Sequence, residues 1–191
     1  MVFLYASIVL VGLIGLFLLV KLVQLNAGNR KVTGELAQIT FSKMSIGTVN
    51  NLSVLPLIDF YADHPALKTE AGVSYLIQAG DTKILMDVGF NKNKEHPSPL
   101  MHNCEELKVS LQDLDFIFIS HRHLDHIGGM QEQKNKWFSL SQGTVDLPSI
   151  PVYSPVEIAP SRWNPAPAVE VVTEPKKLAE GVASIGSIPR N

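Results

Sequence analysis

The stretch Leu114–Met130, LDFIFISHRHLDHIGGM, decides the reading of this chain. It opens on an apolar, aromatic-rich run of strand length, the composition of a strand buried on both faces. It then passes directly into His121-Arg122-His123-Leu124-Asp125-His126, followed by Gly128-Gly129. Four side chains able to ligate a metal occupy six consecutive positions, delivered by a rigid element that can aim them at a cleft. With 6 His in 191 residues, the arrangement arises by accident on the order of 2 × 10⁻⁴ times per chain. Imidazole nitrogen and carboxylate oxygen suit Zn²⁺, Mn²⁺ or Fe²⁺. In an extended segment His121 and His123 point to the same side and can share one metal. Asp125 and His126 lie just beyond, where the chain turns, and can reach a second. Two metals about 3.5–4 Å apart activate a bridging water and hold a leaving oxygen. The two glycines leave room where a helix must start close to the site.

Working upstream, Gly72–Ala79 (GVSYLIQA) and Lys83–Val88 (KILMDV) read as strands joined by Gly80-Asp81, a hairpin. Leu52–Ile58 (LSVLPLI) is a further strand, placed at an edge or bulge by Pro56. Between Pro97 and Val109 the pattern predicts a helix, with Ser98 as its cap before Pro99. Cys104 within it sits beside Glu105-Glu106, which do not activate a thiolate, so it reads as a buried, inert cysteine. Downstream, residues 131–168 are rich in Pro, Ser, Asn and Gln, and Pro148, Pro151, Pro155, Pro160, Pro165 and Pro167 break any long element. Short strands are expected at Val152-Tyr153, Val169–Thr173 and Val182–Ile185. Trp137-Phe138 is read first as packing and second as a pocket or interface lining. His64 and His96 read as surface-loop residues and Lys176-Lys177 as a solvated face.

The amino-terminal run Val2–Val20 carries no charge. Nineteen residues at about 1.5 Å each span roughly 29 Å, the thickness of a bilayer's hydrocarbon. Nothing basic precedes the run and no small-x-small cleavage site follows it, so an uncleaved anchor is the expectation over a signal peptide. Lys21, Arg30 and Lys31 follow it, which places the rest of the chain on the cytoplasmic side of the membrane as a single-pass protein. Residues 1–25 are read as a transmembrane anchor, 26–50 as a juxtamembrane linker and 51–191 as the globular domain. The net charge of −2 supplies no basic field, so no nucleic-acid partner is expected. One cysteine excludes a disulfide framework.

The pattern His121-x-His123-x-Asp125-His126 after a core strand resembles the signature of the metallo-β-lactamase superfamily. Residues 71–91, 103–130 and 185–191 are similar to the branch of dihydropterin (methanopterin-precursor) synthases. The resemblance implies an α+β fold, an αββα sandwich of which this chain holds the N-terminal half to two-thirds, preceded by one transmembrane helix. It implies that His121 and His123 bind a first metal and Asp125 and His126 a second, with zinc ahead of manganese or iron. Asp87 matches the family's Asp-x-Gly turn and is read as a structural or supporting residue. The activity implied is that of a membrane-anchored hydrolase using a metal-bound hydroxide on a small ester or phosphoester substrate, with Asp125 as ligand and proton acceptor. Family sites also need later His and carboxylate ligands, and His64, His96 and His102 all lie upstream, so the chain reads as C-terminally truncated. The alternative expectation is a non-catalytic member acting at most as a tethered binding module.

Overall fold

The computed structural model describes residues 2–39, 43–163 and 168–189. Pro165 and Pro167 of the breaker series, and Arg190-Asn191 of the C-terminal stretch, lie outside these residues. The chain divides into two units, one built on helix α1 and one spanning Met44–Ser187.

Helix α1 runs Val2–Gln38, so the stretch expected as a linker from Asn26 is helical as far as Gln38. The apolar side chains from Ile8 to Leu25 are exposed around the whole helix. No single face is polar, which is the pattern of a helix whose surroundings are apolar on every side.

In the second unit, β1 (Leu52–Ile58), β2 (Ser74–Ala79) and β3 (Thr82–Met86) precede α2 (Pro99–Glu106) and β4 (Phe116–Phe118). Short helices α3 (Leu124–Ile127) and α4 (Met130–Asn135) follow. The remaining strands are β5 (Trp137–Phe138), β6 (Val152–Ser154), β7 (Ala159–Pro160), β8 (Val169–Val171), β9 (Lys176–Ala179) and β10 (Val182–Ser184). Six strands form one mixed sheet in the order β1-β2-β3-β4-β6-β8. The β1/β2 and β2/β3 pairs are antiparallel, as the hairpin reading requires, whereas β3/β4, β4/β6 and β6/β8 are parallel. The fold is α+β.

The alternation of side chains explains why LDFIFIS looks uniformly apolar. Leu85, Ile117 and Val152 stand in register across β3, β4 and β6 and are 0–1% exposed. They share a core with Leu57, Leu100, Leu114, Ile127, Phe138 and Leu140. Their neighbours Ile84, Met86, Phe116 and Phe118 point to the other face, where with the β9–β10 hairpin they line a cavity of about 500 Å³. Both faces of the central strands are therefore apolar. Truncating Ile117 to alanine would cost about 2–5 kcal/mol at such a site.

At the β1 edge Leu52, Val54 and Leu55 are exposed, and the register shifts between Pro56 and Ile58, the irregularity that Pro56 predicts. Ser98 caps α2 as expected, its Oγ accepting from the Met101 amide at 3.2 Å. Asn103 on the buried face donates from Nδ2 to the carbonyls of Leu57 (2.7 Å) and Lys68 (2.8 Å), tying the helix to β1. Cys104 is buried beside it, and burial pushes its thiol up to about 12. Helix α4 and the parallel β5/β7 pair have no counterpart in the sequence reading. Trp137-Phe138 divides: Phe138 is 0% exposed in the core, while Trp137 stays at the surface.

Candidate metal centre

Three loops build the site: residues 70–73 ahead of β2, 87–91 after β3 and 120–129 after β4. Asp87 is its hub. It is 1% exposed and holds a left-handed backbone with φ 59°, a conformation that a non-glycine residue adopts at a cost of order 1–3 kcal/mol. Its carboxylate accepts from the Ser120 amide at Oδ1 (2.8 Å) and from the Ser120 hydroxyl at Oδ2 (2.7 Å). His126 Nδ1 meets the same Oδ2 at 2.8 Å. The backbone carries the same union, with the Asp87 amide donating to Phe118 O and the Val88 amide to His126 O, each at 2.9 Å.

A carboxylate only accepts hydrogen bonds, so His126 carries a proton at Nδ1, and the neutral ring has its lone pair at Nε2. The Ser120 hydroxyl spends its one proton on Asp87, and its oxygen lies 2.9 Å from His121 Nδ1. His121 then donates from Nδ1, which leaves its lone pair at Nε2 as well. One buried carboxylate thus sets the tautomer of two histidines, directly for one and through a serine for the other.

The motif's side chains are brought together. The rings of His121 and His126 stand 4.0 Å apart and those of His121 and His123 4.5 Å. His126 Nε2 is 3.7 Å from Asp125 Oδ2. His121 Nε2 meets His123 Nδ1 at 3.0 Å. Among the described residues, however, no three His, Cys, Asp or Glu side chains are arranged to hold a metal ion. The donors fit a borderline divalent metal in kind, imidazole Nε2 with a carboxylate. In arrangement, His121 faces His123 rather than sharing a centre with it. His64, His96 and His102 are spent elsewhere, on the Ala66 amide, Ser141 Oγ and the Ala66 carbonyl.

Glu70 is a residue that no local signal in the sequence marks. Its Oε1 accepts from the Phe90 amide (2.6 Å) and its Oε2 from the Asn91 amide (2.9 Å), clamping the loop that leaves Asp87. Burial raises the Glu70 carboxyl above the ordinary carboxylate value, the two amides pull it down, and nearby Glu95 raises it. Gly72 lets this loop close on the motif, since a Cβ there would lie 2.7 Å from both Asp125 O and the Phe90 nitrogen. Gly128 ends α3 with φ 97°, and a Cβ would meet Ser139 O at 2.3 Å.

Residues 66–148, which contain all three loops, match the family model described as Anti-Pycsar protein Apyc1. The 7,8-dihydropterin-6-methyl-4-(beta-D-ribofuranosyl)-aminobenzene-5'-phosphate synthase of Methanocaldococcus jannaschii is 30% identical over 88 residues, 46% of this chain and 30% of that protein. The transcription termination factor FttA of Cenarchaeum symbiosum is 40% identical over 53 residues, 28% of this chain and 8% of that protein. Among solved structures, the metallo-beta-lactamase fold protein YhfI of Bacillus subtilis aligns over 69% of this chain and 50% of its own, with 23% identity and a TM-score of 0.35. The chain is thus similar to metallo-β-lactamase-fold proteins over part of its length. It spans less than a third of the length of the two curated relatives above.

Proposed function

We propose that this chain is a metal-dependent hydrolase of the metallo-β-lactamase kind, acting on a small ester or phosphoester. Its ions would be held by His121, His123, Asp125 and His126, two of them and zinc first. The reading is carried by the Asp87–Ser120–His126 knot, which supports a ligating histidine from behind in the way metal sites require. When bound, divalent ions supply Lewis acidity and make water more acidic. The chain's own residues do the rest. Asp87 holds His126 with Nε2 outward, and Ser120 orients His121. The Asp125 side chain is 38% exposed, which supports reading it as ligand and proton acceptor. The Glu70 clamp keeps the Phe90–Asn91 loop against the motif.

We also propose that α1 anchors the chain in a membrane, with the second unit on the cytoplasmic side. Its support is the exposed apolar stretch within Ser7–Gln38, followed by basic residues.

Two measurements test these readings. The full chain in detergent is titrated with Zn²⁺, followed by elemental analysis and by turnover of 4-nitrophenyl esters and phosphodiesters. Binding and turnover that His126→Ala and Asp125→Ala abolish support the enzyme. A folded chain that binds no metal favours a non-catalytic tethered module. Release of the chain from membranes by alkaline carbonate would overturn the anchor.

A further inference from the structure

Charge is paired across most of the second unit and unpaired in one place. Residues 44–187 hold nine lysines. Five of them, Lys68, Lys83, Lys136, Lys176 and Lys177, stand within ion-pair distance of a carboxylate. Of the other four, three line a single cavity of about 680 Å³: Lys92 and Lys94 on the loop after β3, and Lys134 on α4. Among the described residues none of these three forms an ion pair. Lys94 Nζ donates to Gln131 Oε1 at 3.2 Å, a neutral acceptor that joins the loop to the helix. The carboxylates beside them in the chain are engaged elsewhere. Glu95 meets Lys68 at 2.6 Å, and Glu132 is 4% exposed with its Oε1 accepting from Gln142 Nε2 at 2.7 Å.

The lysine loop is held in place by buried polar groups. Asn91, 3% exposed, closes it by accepting from the Glu95 amide at Oδ1 (2.8 Å) and donating from Nδ2 to the Glu95 carbonyl (3.0 Å). The Lys94 amide donates to Asn91 O at 2.9 Å, and Lys94 takes a left-handed backbone with φ 56°. A lysine keeps that conformation only where its surroundings over-determine it. The Glu70 clamp fixes the start of the same loop. Like charges gathered on one cavity repel until an anion joins them. A phosphate ester carries about −1.5 to −2 charges and three strong acceptor oxygens, one for each ammonium group. A carboxylate brings one charge and two oxygens. Two further walls are apolar, Phe90 and the 70% exposed Met130. The volume lies within the range of small-molecule sites, about 300–1,000 Å³, and leaves space for more than the anion.

We propose that this cavity binds a phosphate monoester, its dianion held by Lys92, Lys94 and Lys134 and its organic part resting on Phe90 and Met130. Phe90, Asn91 and Gly129 belong both to this lining and to the loops of the histidine centre, but none of the motif's histidines lines the cavity. The proposal does not rest on the hydrolase reading.

The full chain in detergent, freed of divalent ions with EDTA, is titrated with phenyl phosphate by ligand-observed NMR. Working without metal lets this site and the hydrolase reading fail separately. We expect saturable binding with a Kd below about 1 mM at about 50 mM salt, weakened severalfold at about 200 mM. As competitors, inorganic phosphate should bind about threefold more weakly and benzoate at least about tenfold more weakly. The double variant Lys92→Ala/Lys134→Ala should weaken phenyl phosphate by about tenfold or more. Lys177→Ala, an equal charge change per site outside the lining, should weaken it by less than about twofold. The replaced side chains are exposed, and circular dichroism checks that each variant is folded. Phosphatidic acid carried in the detergent micelle is a second source of a phosphate monoester. Displacement of phenyl phosphate by it, and not by phosphatidylcholine, assigns the site to a lipid headgroup, and failure to displace assigns it to a soluble ester. Absence of saturable binding overturns the proposal. So does benzoate or inorganic phosphate that binds as tightly as phenyl phosphate, or binding that is unchanged in the folded double variant.

Discussion

Two ends of one six-residue motif are built differently. His126 is part of a knot: Asp87 grips its Nδ1, the Val88 amide grips its carbonyl, and its side chain is 19% exposed. His123 sits at the rim, exposed, and the side-chain contacts described for it are with His121. His121 is intermediate, steadied by Ser120 on one nitrogen and meeting His123 on the other. His126 is preorganised by buried polar chemistry and His121 is steadied from one side by Ser120, whereas His123 has no such support from the buried carboxylate among the described contacts. If the proposed function holds, an ion would find His126 already set and would have to draw His123 inward.

The strongest way to break this contrast is to remove its hub. Asp87→Ala leaves the Ser120 amide, the Ser120 hydroxyl and His126 Nδ1 without their acceptor, at about 1–3 kcal/mol for each buried donor that finds no water. We expect a loss of about 3 kcal/mol in urea unfolding, and zinc affinity lowered by about 10–100-fold where the fold survives. Asp87→Asn restores much of the stability, because its amide oxygen still accepts, and restores little of the zinc affinity. Equal recovery of both would show that Asp87 acts through packing only.

The next test sets the two histidines against each other. His126→Ala strips the Asp87 carboxylate of a buried donor and should cost about 2 kcal/mol in the metal-free chain. His123→Ala removes an exposed ring and should stay within about 0.5 kcal/mol. Both should lower zinc binding. Equal stability losses for the two variants would erase the distinction between the knot and the rim.

The motif was legible because its chemistry is local, and the difference between its ends was not, because Asp87 stands 39 residues from His126. The same division runs through the fold. Leu52–Ile58, the β2–β3 hairpin and the Ser98 cap follow from period, turn residues and cap chemistry, and each is present. LDFIFIS shows a strand buried on both faces, and Ile117 on one side with Phe116 and Phe118 on the other explains why. Hidden from the sequence were the parallel order β3-β4-β6-β8 and the two-residue β5/β7 pair, which depend on long-range partners. Glu70 was hidden for the same reason, since its role lies in the amides of residues 90 and 91.

Glu70 offers a smaller effect with a definite sign. Burial holds its carboxyl above the ordinary value, so the folded chain takes up its proton more readily than the unfolded chain. The stability tied to this group is fully present below the unfolded value and is lost as pH rises through the folded one. Glu70→Gln removes the titration. The variant's melting temperature minus that of the parent should therefore rise between about pH 4 and pH 7. A difference that falls over that range would mean that the Phe90 and Asn91 amides outweigh burial, and that the clamp is strongest when charged.

Cys104 carries the smallest effect at neutral pH and the cleanest contrast with Asp87, since both are buried in the same unit. Asp87 is surrounded by hydrogen-bond donors, whereas burial alone holds the Cys104 thiol up at about 12. A thiol held so high has almost no thiolate near pH 8, so the native chain should not react with an aromatic disulfide reagent until denaturant is added. Its contribution to stability should be constant up to the ordinary thiol value and then fall as pH rises towards about 12, because only the unfolded chain gives up the proton there. Cys104→Ser should abolish that alkaline fall. Rapid labelling of the native chain would place Cys104 in a segment that opens, and α2 would then be a mobile wall of the core rather than a fixed one.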